Sequence, residues 1–202
     1  MSDFVTPRID VHMLTMMESD QWRRDCVASL DGAPIQLHVI DGVEGNLGTG
    51  RVQGYKMGSL PYVSHVDPDD LYNAEAFTQM ADILDANPDV AMVYSAESIM
   101  RRDGTPGPVM RRNYDRQAHL NTPRFIHGVV VFRRAVLEQF YDTIETVPNW
   151  ADWVTTLLMA KAARVMSSPV VGRHWRQHES QSSRNIDSVA RRIVDEMKAT
   201  ER

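Results

Sequence analysis

Four short apolar runs dictate most of what this chain can become: residues 9–14 (IDVHML), 35–40 (IQLHVI), 61–66 (PYVSHV) and 90–94 (VAMVY). Each pair is separated by a segment with helical spacing. Ser19 opens the first helix, with Trp22, Cys26, Val27 and Leu30 on one face and Asp31-Gly32 as its stop. A glycine-rich stretch, VEGNLGTG, leads into a short helix over 51–59 closed by Gly58. Asn73 caps a helix over 74–86 that turns Phe77, Met80, Ile83 and Leu84 inward, and Asn87-Pro88 ends it. Strands alternating with helices in this way predict an α/β fold with a mostly parallel central sheet and helices on both faces.

In such sheets ligands bind outside the carboxyl ends of the strands. Thr15, Asp41 and Asp67 fall at the carboxyl ends of three different strands. The third strand delivers a dense acidic group, Asp67-Pro-Asp69-Asp70. Two readings of it stay open: a turn that caps the next helix, since Asp and Pro are ordinary turn residues, or a seat for a hard divalent cation, which takes oxygen ligands. The loop GNLGTGR has neither the Lys-Ser/Thr ending of a phosphate loop nor dinucleotide glycine spacing. Arg51 at its end carries a guanidinium suited to phosphate oxygens, or is a surface arginine.

The second half is less regular. Residues 101–124 carry Arg101, Arg102, Arg111, Arg112, Arg116 and Arg124 among polar residues and read as a loop, solvated or facing an anion. FIHGVVVF at 125–132 reads as a strand, 134–142 as a helix, and 150–163 as a helix with Trp153, Leu157 and Leu158 inward. Asp152 opens that helix, where it serves the helix dipole or, next to tryptophan rings, acts as a base. The polar stretch 173–184 holds His174 and His178. From Asp187 an amphipathic helix follows, compatible with packing on its own domain or with a homodimer. The expected organisation is one domain over 1–184 and a C-terminal helix over 185–202.

Bulk properties fit this picture. A net charge of −5 gives no global field for nucleic acid or anionic lipid. The lone Cys26 excludes an intrachain disulfide and fits a reducing compartment. No apolar run is long enough to span a bilayer, and MSDFVTPRID lacks a signal-peptide pattern. The expectation is a cytoplasmic protein.

Several segments, in order, resemble the family 2 glycosyltransferases of the GT-A fold, from about residue 9 to residue 184. RVQGYKMGSLPYVSHVDPDD resembles the family's Arg-Asn-x-Gly…Gly…strand…Asp-x-Asp-Asp run, with Arg51, Gly54, Gly58 and the acidic triplet in register. FIHGVVVFRR, NWADWVTTLLMAKAA and HWRQHESQSS resemble the later strand with its arginine pair, the Glu-Asp-Trp helix and the closing Arg-x-His…Ser segment. The sequence departs where Asp41-Gly42-Val43-Glu44 replaces Asp-Asp-Gly-Ser, Val52 replaces Asn and Ala151 replaces Glu. His65 takes the place of an apolar residue.

The resemblance implies an inverting transfer of a sugar from a nucleotide-diphosphate donor, UDP-linked, to an acceptor hydroxyl. Asp152 would be the catalytic base. Thr15, Asp41, Arg51, Asp67 and Gly128 would bind donor, and Asp69, Asp70 and His178 would hold Mn2+ or Mg2+ in the manner of a DXD motif. The acceptor would be a glycan, a small molecule or an anionic polymer such as an acidic polysaccharide or hydroxylated-base DNA. Two alternatives are a non-catalytic nucleotide-sugar-binding domain, given the altered motifs, and a nucleotidyltransferase, although LTMMESDQW offers no phosphate-gripping loop.

Overall fold

The computed structural model describes residues 5–179 and 186–200. The elements run β1 (Ile9–Thr15), α1 (Asp20–Ser29), β2 (Ile35–Asp41), α2 (Leu47–Tyr55), β3 (Tyr62–Val66), β4 (Leu71–Tyr72), α3 (Ala74–Ala86), β5 (Val90–Met100), β6 (Pro106–Met110), α4 (Arg116–Asn121), β7 (Val130–Arg133), α5 (Arg134–Leu137), a 3-10 turn (Glu138–Phe140), α6 (Tyr141–Glu145), α7 (Ala151–Ala162), β8 (Arg164–Arg176) and α8 (Ser188–Thr200). The expected boundary at residue 184, and Ser180, Ser182 and Ser183 of the closing family-like segment, lie outside the described residues.

Most of the first half folds as its pattern predicts, but α2 starts at Leu47, within the stretch expected to be a loop, and ends at Tyr55, short of the expected 51–59. Ser19, Asn46 and Asn73 cap α1, α2 and α3 through their side chains. β1 lies between β2 and β3, parallel to both. The sheet as a whole is mixed, which corrects the expectation of a mostly parallel one. Its order is β2-β1-β3-β7-β5-β8-β4, with β6 paired to β5. β7 is inserted antiparallel between β3 and β5, and the short β4 and β6 are also antiparallel to their neighbours. β5 and β8 are parallel.

Alternating residues feed two cores, one on each face. Met92, Tyr94, Val130 and Phe132 pack with α2, α7 and α8, whereas Val90, Val93 and Val131 pack with Phe77, Met80 and Leu84 of α3. α8 buries Ala190, Val194 and Met197 in the first of these cores. The apolar stripe of the C-terminal helix therefore packs on its own domain, the first of the two expected arrangements. Among the described residues no helix is long and apolar enough to cross a membrane.

Segment 101–124 is not a loop throughout. Gly104, at φ 80°, turns the chain from β5 into β6, and α4 follows with an Asp115 cap. Arg111, Arg112 and Arg116 donate to the backbone carbonyls of Pro169, Arg124 and Leu157. The arginine pair after β7 is also structural. Arg133 donates to the carbonyls of Leu84 and Asn87 at the end of α3 and of Val90 at the start of β5. Arg134 joins Asp10, which is buried with His38 and the Leu60 amide on its oxygens.

Candidate active site

The buried side of α2, the end of β3, the start of α7 and β8 converge on one polar cluster, on the side of the sheet where β1 and β2 end. Thr15 Oγ1 lies 3.3 Å from the Ile40 carbonyl and 3.4 Å from Asp41 Oδ1, so these two expected donor residues share one sheet edge. Arg51 stands on the buried side of α2 and is 2 % exposed. Its Nε donates to Asp152 Oδ1 at 2.8 Å, and its Nη2 to Asp152 Oδ2 at 3.0 Å and Asp67 Oδ1 at 2.8 Å. One guanidinium thus clamps two aspartates that lie far apart in sequence. Arg51 turns Nε and Nη2 toward carboxylates of its own chain.

Arg173, from β8, completes the cluster. It reaches Asp67 Oδ2 at 2.9 Å and Asp70 Oδ2 at 2.7 Å, and donates to the His127 carbonyl at 3.1 Å. Asp70 is 1 % exposed, and its second oxygen accepts the Arg176 backbone N–H at 2.7 Å. Both its oxygens are engaged and it faces inward, so Asp70 does not fit as a metal ligand. Asp69 turns the other way, with Oδ2 2.8 Å from His178 Nε2. The Trp22 ring sits 4.8 Å from that of His178. His174 does not join it, since it lies within β8 and bonds Ser98 Oγ.

Of the three expected metal ligands, Asp69 and His178 are the two that stand together. Among the described residues no three His, Cys, Asp or Glu side chains could hold a metal by themselves. One carboxylate and one imidazole fit Mn2+ or Mg2+ when substrate phosphates and water fill the other positions.

The charges act on one another. Burial pushes the Asp67 carboxyl up, but Arg173 and Arg51 outweigh it and hold it below the usual aspartate range. Asp152 is likewise lowered, burial being outweighed mainly by Arg51. Both are ionised at neutral pH. Burial, reinforced by the Arg51 charge, brings His65 down to about 4, so its imidazole is neutral.

Two backbone features shape the site. Trp150, just before α7, has φ 60°, and it is the only non-glycine residue in the left-handed region among the described ones. That conformation costs about 1–3 kcal/mol and marks functional sites more often than others. Gly128, entering β7, is pressed against β5: a Cβ there would stand 2.3 Å from the Ser95 carbonyl oxygen. Close packing accounts for this glycine. Nearby, Glu97 is 1 % exposed, without a hydrogen bond among the described residues, and lies 3.6 Å from His127 and 3.8 Å from Arg173. Sequence reading missed Arg173 and Glu97, because a polar run such as RHWRQHE does not reveal which side chains turn inward.

No family model and no curated protein matches the sequence. Solved structures do match. S. aureus TarS residues 1–349 in complex with UDP-GlcNAc superposes with a TM-score of 0.69 at 15 % identity, over 92 % of this chain and 65 % of TarS 1–349. The same TarS segment in complex with UDP gives 0.64 at 14 %, over 84 % and 60 %. It shares the fold of TarS. TarS is a glycosyltransferase, so the fold agrees with the resemblance to the family 2 enzymes. This chain spans less than two thirds of TarS 1–349 and 37 % of the longer TarS structure.

Proposed function

We propose that the chain is a nucleotide-sugar glycosyltransferase domain that transfers with inversion. The observation that carries this reading is the clamp of Arg51 on Asp67 and Asp152. It unites the two residues that the family resemblance assigns to donor binding and to catalysis. The TarS complexes with UDP-GlcNAc and UDP support a UDP-linked donor over the carboxyl ends of β1, β2 and β3. Thr15 and Asp41 would face its uridine, and Asp67 its ribose or sugar hydroxyls, with Gly128 near the sugar. Asp69 and His178 would hold Mn2+ or Mg2+, which when bound neutralises the departing diphosphate.

Asp152 is ionised and partly exposed, at 38 % for its side chain. It can take the proton of an acceptor hydroxyl as that oxygen attacks the anomeric carbon from the face opposite the diphosphate. The sugar–phosphate bond breaks in line, UDP leaves with the electron pair, and the anomeric centre inverts. Arg51 lowers the basicity of Asp152 while fixing its orientation. A base held this way is the one observation that favours a second reading, a domain that binds the nucleotide sugar without transferring it.

For the acceptor, an open cleft of about 520 Å3 is lined by Trp22, Arg101, Arg102, Arg176 and His178. An anionic acceptor there would make binding fall steeply with salt. The deciding experiment measures binding of UDP-GlcNAc and UDP by calorimetry with and without Mn2+, and UDP release in parallel. Asp152→Asn is expected to keep donor binding and lose turnover by a factor of about 100 or more. Donor binding without turnover in the unaltered protein, over a panel of acceptors, would select the binding reading. No binding of either nucleotide would overturn both.

A further inference from the structure

His65 lies at the site, and the donor and base roles leave it no task. It sits in β3 where the resembled family has an apolar side chain, and its side chain is 12 % exposed. Its Nδ1 lies 2.9 Å from the hydroxyl of Tyr55, a fully buried residue of α2. Its Nε2 lies 3.7 Å from Asp152 Oδ1. The ring stacks on Phe132 of β7, and His12 of β1 approaches it at 5.9 Å between centroids.

We propose that His65 is a positioning residue for Asp152, held by Tyr55 in the tautomer that carries its proton on Nε2 and aims that N–H at the Asp152 carboxylate. A neutral imidazole has one N–H, and its placement follows from its two neighbours. If Nδ1 carried the proton, a ring lone pair would face a carboxylate 3.7 Å away. The buried Tyr55 O–H would then point at a second donor, with no acceptor within hydrogen-bond reach among the described residues. Both penalties vanish when Tyr55 donates to Nδ1 and Nε2 carries the hydrogen.

This arrangement supplies something that Arg51 cannot. Arg51 fixes Asp152 through two charge-assisted bonds and thereby makes it a weaker base. His65 adds a second orienting donor from β3 without adding a cation. The charged and titratable groups around it are Asp152, Arg51, Asp67, Arg173, His12 and Tyr55. Burial and the two guanidiniums outweigh the two carboxylates and keep the ring neutral through the working pH range. At 3.7 Å the Nε2–Oδ1 contact is longer than a hydrogen bond, and contacts of this kind tighten once substrates are bound.

The geometry stands by itself, whereas its catalytic meaning rests on Asp152 being the base. The first test is a nitrogen-15 NMR experiment on the full chain with labelled histidine at neutral pH. The expected result is the Nε2–H tautomer at His65, with the preference lost in Tyr55→Phe. An Nδ1–H tautomer, or the same strong preference in Tyr55→Phe, would overturn the proposal. The second test measures UDP release from UDP-GlcNAc with Mn2+ in His65→Leu and His65→Gln. His65→Leu should lower kcat by about 10-fold at unchanged KM, the lower end of what a supporting hydrogen bond contributes to a site. His65→Gln, which keeps a neutral N–H, should recover part of it. An unchanged kcat in His65→Leu would overturn the proposal. Full turnover in Asp152→Asn would overturn the base reading alone, and the tautomer measurement would still decide the geometry.

Discussion

Arg51 and Arg173 each bridge carboxylates that the chain must bring together to form the site, so each is at once a structural and a functional residue. Asp70 is the partner most dependent on Arg173, because it is 1 % exposed. Removing one side of a buried ion pair costs about 3–5 kcal/mol, so Arg173→Leu should lower the urea-unfolding free energy by about that amount. Burial already pushes the Asp70 carboxyl up, to about 7, against the pull of Arg173. An acid whose folded value is raised loses stability as the pH climbs through the interval between its unfolded and folded values. The Arg173→Leu deficit should therefore be larger at pH 8 than at pH 5. Asp67 and Asp152 behave in the opposite sense. Their folded values are depressed below the ordinary 3.8, so their contribution is complete above that value and fades as the pH falls through the lower folded values. Thermal unfolding of the unaltered protein between pH 2 and pH 5 should show this loss, and Arg51→Leu should flatten it. The sequence named Arg51, Asp67 and Asp152 as site residues through motif order. It could not show that Arg51 faces carboxylates, since a guanidinium suits phosphate and carboxylate equally.

The elements that were legible in the sequence are the regular ones, β1 to β3, α1 and α3, where apolar periodicity and caps agree, whereas the glycines of α2 hid its first turn. β8 was not legible. RVMSSPVVGRHWR contains a proline, a glycine and three arginines, a poor strand composition. It forms because a register shift absorbs the proline: while β5 moves from Tyr94 to Ala96, β8 runs from Ser167 to Val171, which leaves Pro169 out of the ladder. The hairpin of β5 and β6 escaped notice for a similar reason, as PGPVM lacks alternation. The close approach of the chain to Ser95 of β5 from both neighbouring sides is an equally local matter. Gly128 and Gly172 both abut that serine, and a Cβ at Gly172 would stand 2.4 Å from Ser95 Oγ. Gly128→Ala meets backbone rather than a movable side-chain end, and should cost about 1–3 kcal/mol in thermal or urea unfolding.

In the molecule as a whole, helix α8 closes one of the two cores. Val194 is 2 % exposed against that core. Val194→Asp should destabilise the protein by at least about 3 kcal/mol, the range for an unpaired buried charge. Analytical ultracentrifugation of Val194→Ala should give the same oligomeric state as the unaltered chain, since the stripe contacts its own domain. The sequence made the α/β class legible but not the mixed sheet, because nothing in a strand's composition reveals the direction of its neighbour. That direction has a consequence in time. β7 occupies the slot between β3 and β5, yet it emerges from the ribosome after both. Until residues 130–133 are made, the β2-β1-β3 sheet and β5 have no strand between them, and the β3 and β5 edges that β7 will join stay open. A fragment ending at residue 100 would present those edges to other chains, so the protein should fold late in its own synthesis and slowly for its size.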